Sequence, residues 1–261
     1  MLFNRKFDLI ISIGEDCACS SYLRRFNLQD YTYPFDWLTK ASFDTRMNLL
    51  LNDFDSFLIK ENIKYLEKPK NANVDSNCDY YQDVKNDIYF YHDFRINIPF
   101  NSEFENVKEK YNRRICRLYD NIANSKKVLF VWWSRNKHLN YETIAKYYQM
   151  FSKKFFNQDI YFLIIEYSEI KSEDNLLDNH VKIIKYDNIS FKQNSNWNEV
   201  MGNEKNNEII FSQIKKRRTL IWYINFLIYK FVKLLISLIF IKNVRRKLRT
   251  NWQYICFKAK L

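Results

Sequence analysis

A chain of 261 residues, 47% hydrophobic and 18% aromatic, has the material for one sizeable domain with an appendage, and that composition excludes global disorder. Its two glycines exclude both the G-x-G-x-x-G dinucleotide fingerprint and the G-x-x-x-x-G-K-[ST] phosphate loop, and most nucleotide-dependent chemistry goes with them. The formal charge of +12 is concentrated: Lys215 to Leu261 holds 13 Lys and Arg and no Asp or Glu, whereas the preceding residues hold 29 basic against 30 acidic.

In chain order, Phe7–Ile13 is a short apolar run with β-branched residues, which predicts a buried strand. It ends at Gly14, and Asp16–Phe26 then follows helical spacing, with Asp16 placed to cap the first turn. Tyr31–Leu38 reads as an aromatic loop around Pro34, and Phe43–Leu58 as a helix. Glu67–Asp87 is polar and reads as a long excursion or a weak hairpin, before a strand at Ile88–Tyr91. Glu103–Ala123 predicts a long helix. Beyond it come strands at Lys127–Trp133, Ile160–Glu166 and Val181–Tyr186, a helix at Tyr141–Phe156 and a short helix from Trp197 to Met201. Alternating strands and helices predict an α/β fold: a mainly parallel, Rossmann-like, three-layer sheet flanked by helices. The α/β domain is expected over 1–211, with a basic helical tail over 212–261.

Within the tail, Lys215-Lys216-Arg217-Arg218 precedes an apolar stretch from Thr219 to Ile241, and a second basic cluster, Arg245–Arg249, follows. Lys230, Lys233 and Ser237 fall on one narrow stripe of a helix. Spanning a bilayer would bury two lysines at a cost of about 5 kcal/mol, so a helix lying in an anionic membrane surface is the expectation. Packing of the tail on the domain is the alternative. Nucleic acid is not expected as a partner, because the body is not basic and carries no binding motif. No signal peptide is read at the N-terminus, which predicts a cytoplasmic protein, peripheral on the inner membrane face.

Five cysteines at scattered positions do not predict a disulfide framework, and Cys17-x-Cys19 without a second Cys/His cluster does not predict a metal site. No cofactor is called for. Cys17 and Cys19 stand at a predicted helix start, where backbone N–H groups and the helix dipole favour a thiolate. A depressed pKa at Cys17 is the expectation. The two lie about 200° apart around the helix, so both cannot face one site. The competing reading has one or both packed under the sheet. Of the three histidines, His180 precedes a strand and sits at the wrong edge; His138 follows one and His92 ends one, so either can serve as base.

Gly14-Glu15-Asp16-Cys17, Tyr33-Pro34-Phe35-Asp36-Trp37 and His92-Asp93-Phe94 together resemble a bacterial domain family of unknown function named for papain-like cysteine peptidases. The resemblance covers roughly Phe7 to Trp197. It implies a Cys17 nucleophile and a His92 base. Asn194-Ser195-Asn196-Trp197 is similar to the Asn-Ser-Trp around the papain-type asparagine with one residue inserted; this nominates Asn196 to orient the histidine, with Asn194 as its competitor. Gly14, Asp16, Cys19, Phe35, Asp36, Trp37 and Asp93 are expected to line the substrate site. Papain-type enzymes set their Cys helix against an antiparallel barrel. The alternation read here is closer to SGNH-type hydrolases, and similar to capsule-polysaccharide acetyltransferases with a Gly-x-Cys turn. The expected activity is therefore a cysteine peptidase or a related acyl hydrolase or transferase. An esterase or acyltransferase of surface-polysaccharide synthesis, or a non-catalytic membrane-associated binding protein, is the alternative.

Overall fold

The computed structural model describes residues 2–67, 77–134, 138–168, 171–177, 179–186 and 204–237. The chain divides into two compact units, Met1–Lys216 and Arg217–Leu261.

The first unit is a mixed α/β domain. Its main sheet has five strands in the order β2 (Leu9–Ser12), β7 (Lys127–Ser134), β8 (Asp159–Tyr167), β10 (Val181–Tyr186) and β9 (Ser172–Leu176). Four of these run parallel, and β9 is an antiparallel edge strand on β10. The central strands read as near-continuous apolar runs because both faces are covered. Strand alternation assigns each side chain to one of two cores. Ile11, Phe130, Phe162 and Ile183 join the core that holds α2 (Phe43–Leu51), α3 (Phe100–Ala123) and α4 (Tyr141–Lys154). Ile10, Leu129, Trp133 and Leu163 join the opposite core with α1 (Cys17–Arg25) and α5 (Glu204–Gln213).

Helices thus cover both faces, as the alternation implied. Strand order does not follow the Rossmann expectation: the first strand of this sheet, β2, lies at its edge, whereas a Rossmann sheet reverses about its first strand. The crossover from β2 to β7 carries a second sheet that the sequence reading did not foresee. It is antiparallel, in the order β3 (Leu38–Thr39), β6 (Ile88–Arg95), β5 (Cys78–Asp83), β4 (Ile63–Leu66). The helix expected to reach Leu58 ends at Leu51, with left-handed backbone at Asp53 and Phe54 turning the chain. A two-stranded pairing of β1 (Lys6–Phe7) with β11 (Lys215–Lys216) and the burial of Phe211 and Ile214 carry the first unit past Phe211 to Lys216.

The second unit contains α6 (Leu220–Ser237). Among the described residues, no helix is long and apolar enough to cross a membrane.

Candidate active site

The site is built on the turn between β2 and α1. After β2 the backbone keeps its pairing with β7: Ile13 N–H donates to the Val131 carbonyl at 2.9 Å and Glu15 N–H to that of Trp133 at 3.0 Å. Gly14 is held between these two bonds. A Cβ there would stand 2.4 Å from Cys19 Cβ and 3.3 Å from the Trp133 oxygen, so glycine is needed for the close approach of helix to strand. Asp16, the expected cap, accepts from Ala18 N–H at 2.8 Å and starts α1 at Cys17. The helix ends in a Schellman turn: Asn27 takes left-handed φ and Leu28 N–H donates back to the Leu23 carbonyl.

The 200° between the two cysteines separates their fates. Cys19 faces the sheet, fully buried, with Sγ 3.5 Å from the Val131 carbonyl; burial pushes its thiol up to about 12. It packs under Gly14, away from solvent. Cys17 is half-buried. The expected depression of its pKa is not found: desolvation raises it, against the opposing pull of its own backbone N–H and of the Arg24 and Arg46 guanidinium groups. Partial burial outweighs these, so the thiol pKa stands above its ordinary value.

The aromatic motif forms a single 3-10 turn, Pro34–Trp37, bound to α1 by a polar cluster. Ser20 Oγ lies 3.0 Å from the Cys17 carbonyl and 2.9 Å from that of Asp36. Arg24 donates to Ser20 Oγ at 2.9 Å and to Asp36 Oδ2 at 3.3 Å. Asp36 also accepts from Tyr33 N–H at 2.9 Å and from Gln29 at 2.5 Å. Burial pushes Asp36 up to about 6, with Arg24 and those donors opposing. Asp36 is therefore a buried tie between turn and helix. Phe35 is likewise a core residue, against Phe54 and the Arg46 guanidinium. Trp37 alone of the motif is half-buried, with the Arg24 guanidinium 5.1 Å from its ring centroid.

Leu38 follows directly and pairs with Phe90 of β6, which brings His92 beside the turn. The His92 ring meets the Trp37 ring edge-on, with centroids 5.8 Å apart. His92 is exposed, and the next residue points the other way. Asp93 is buried and bound to Lys110 at 2.6 Å and to the Tyr111 hydroxyl at 2.9 Å, both on α3. It anchors β6 to α3 on the side away from the exposed His92. Asn194 and Asn196 lie outside the described residues.

His138 is exposed, with Nδ1 3.6 Å from the buried carboxylate of Glu166. His180 pairs with Asp159 at 3.0 Å, at the opposite end of β8, and stacks on Tyr161. Among the described residues no group of three or more His, Cys, Asp or Glu is placed to hold a metal ion.

Two arginines escaped the sequence reading. Arg46 is fully buried and donates to the carbonyls of Glu15 at 2.9 Å, Leu38 at 3.1 Å and Phe35 at 3.5 Å, clamping the Cys turn to the aromatic turn. Burial pushes it down to about 10. Its signal was a charge on the apolar stripe of α2, one position before Met47 and three after Phe43. Arg24 stands one helical turn after Ser20, the spacing at which side chains meet.

A family model described as "Putative papain-like cysteine peptidase" matches residues 8–169. The chain is also similar to an uncharacterized protein of Acanthamoeba polyphaga mimivirus, at 27% identity over 220 residues, covering 75% of this chain and 98% of that protein. This relative is viral and gives no support to the bacterial origin that went with the resemblance. No solved structure matches the chain.

Proposed function

The chain belongs to the family described as putative papain-like cysteine peptidases, and from that premise we propose that it performs cysteine-dependent acyl transfer, with Cys17 as nucleophile and His92 as base. The observation that carries the proposal is the convergence of three motifs far apart in sequence. Ser20 and Arg24 tie the Cys17 helix to Asp36, and Trp37, the next residue, packs against His92.

In this reading the Cys17 thiol gives its proton to His92 as sulfur attacks a carbonyl carbon. His92 returns that proton to the leaving amine or alcohol, leaving a thioester. Water then attacks, its proton passes through His92 to the departing Cys17 sulfur, and a carboxylic acid is released. Another hydroxyl or amine in place of water makes the reaction a transfer. The raised thiol pKa gives the base a definite task, because the thiolate and not the thiol is the nucleophile. Arg24 and Arg46 supply fixed positive charge toward the sulfur as it ionises. The Ala18 N–H is occupied by Asp16, so it does not serve a developing oxyanion.

The test compares the reaction of a peptidyl aldehyde or vinyl sulfone with the wild-type chain, Cys17→Ser and His92→Gln, read by intact mass. Wild type should be modified once, at Cys17, and His92→Gln should react about tenfold or more slowly at pH 7. At a pH above the thiol pKa, iodoacetamide should alkylate wild type and His92→Gln alike, because the thiolate no longer needs a base. Equal rates at pH 7, or modification at Cys19, overturn the assignment.

A further inference from the structure

Helix α6 exposes what the first unit buries. Leu220, Tyr223, Ile224, Leu227, Ile228 and Phe231 are each between 47% and 76% exposed. At 100° per residue these six positions fall within an arc of about 140°, one continuous apolar face. Lys230 borders that face and Lys233 lies further round on the polar side, both exposed. At the helix start the Arg218 guanidinium lies 4.1 Å over the ring of Trp222. The helix is about 27 Å long, and among the described residues no helix is long and apolar enough to cross a bilayer.

We propose that α6 binds in the plane of an anionic lipid surface, with its Leu220–Phe231 face in the acyl boundary and its lysines at the headgroups. The charge of the segment selects this occupant. From Lys215 to Leu261 there are 13 Lys and Arg and no acidic residue. A second copy of the same helix would bring two such segments together against their own repulsion, whereas an anionic leaflet attracts each basic residue near it. Apolar face and basic rim together supply the two signals that interfacial helices need. The proposal does not depend on the chemistry at Cys17.

The test is co-sedimentation of the full chain with vesicles of phosphatidylcholine alone and of equimolar phosphatidylcholine and phosphatidylglycerol. Binding should be at least about tenfold stronger to the anionic vesicles and should weaken as salt is raised. Leu227→Gln with Phe231→Gln should lower the partition coefficient about tenfold or more. Lys230→Glu with Lys233→Glu should remove most of the anionic preference. All four positions are exposed, so the body should retain its near-ultraviolet circular dichroism in both variants. Equal binding to both vesicle types overturns the proposal, as does a failure to pellet with either. Concentration-dependent dimerisation abolished by Leu227→Gln with Phe231→Gln, without vesicle binding, would assign the face to a second copy instead.

Discussion

The carboxyl edge of the main sheet carries two titratable constellations, and they are built differently. Beyond β2, Cys17 sits inside a mesh of buried ties: Asp16 caps its helix, Ser20, Arg24 and Asp36 bind that helix to the aromatic turn, and Arg46 clamps both from below. Beyond β7 and β8, His138 is exposed over one buried carboxylate, Glu166, whose other oxygen accepts from Leu139 N–H at 2.8 Å. Burial raises the pKa of Glu166, with the Leu139 N–H, His138 and Lys185 opposing. Both places satisfy the rule that ligands bind beyond strand carboxyl ends. Only the first holds its reactive group by several elements at once, and fixed geometry is what acyl transfer needs.

The sharpest way to break this contrast lies within α1. Cys17→Ala should reduce acylation by p-nitrophenyl acetate by about 10³-fold, whereas Cys19→Ala should change it by no more than about threefold. Cys19→Ala should instead lower stability by about 1 kcal/mol, because Cys19 is fully buried. The burst amplitude and urea unfolding of the two variants read these separately. A large loss of acylation in Cys19→Ala with Cys17→Ala active would reverse the roles.

The clamp comes next. Arg46→Met removes the guanidinium donor from the Leu38 and Phe35 carbonyls and one of two donors from that of Glu15, which keeps Lys40 N–H at 3.1 Å, and should destabilise the chain by about 3 kcal/mol, a fall in Tm of about 10 °C. Arg46→Lys keeps the charge but cannot fork to three acceptors, so it should fall between. A change below about 0.5 kcal/mol in Arg46→Met would show that the turn holds without it.

Asp36 tests the same mesh through pH. Its folded pKa of about 6 lies above its unfolded value, so the native state binds an extra proton in the interval between. The stability this group contributes is present below about pH 4 and is lost as pH rises through 6, a change of about 3 kcal/mol. Asp36→Asn cannot titrate. Its unfolding free energy relative to wild type should therefore move in its favour by about that amount between pH 4 and pH 7, as measured by urea unfolding. A constant difference across that range would show Asp36 ionising as easily in the fold as in the unfolded chain.

The same physics explains what could be read from the residues. Val128–Trp133 and Ile160–Ile165 are buried on both faces of the sheet, so they read as continuous hydrophobic runs and announce themselves, as does Val181–Ile184 apart from Lys182. The strands of the second sheet do not. In Cys78–Asp83 the alternation of buried and partly exposed residues is broken by a bulge, which leaves Tyr81 and Gln82 both partly exposed before buried Asp83, and Ser172–Leu176 is a polar edge strand defined by its pairing to β10. At the site, local signals were legible: Asp16 does cap the helix, and the 200° between the cysteines does send them to different surroundings. What could not be read was burial. Asp36, Asp93 and Phe35 looked like site residues because they neighbour Trp37 and His92 in sequence, yet tertiary packing commits them to Arg24, to Lys110 and to the core. Desolvation of Cys17 is invisible for the same reason, since it depends on elements far away in the chain.

The smallest expected effect concerns the second constellation and sharpens the comparison most. His138→Asn removes an exposed ring whose nearest carboxylate contact is 3.6 Å long. At that distance the pair is at most weakly hydrogen-bonded, and the exposed partner gains little from solvent-screened attraction. The variant should stay within about 0.5 kcal/mol of wild-type stability. Its rate of Cys17 acylation should stay within about twofold, while His92→Gln loses far more under the same conditions. If His138→Asn instead shifts the pH profile of acylation and His92→Gln does not, the base lies over β7 and β8. The tie from Trp37 to His92 would then be packing alone.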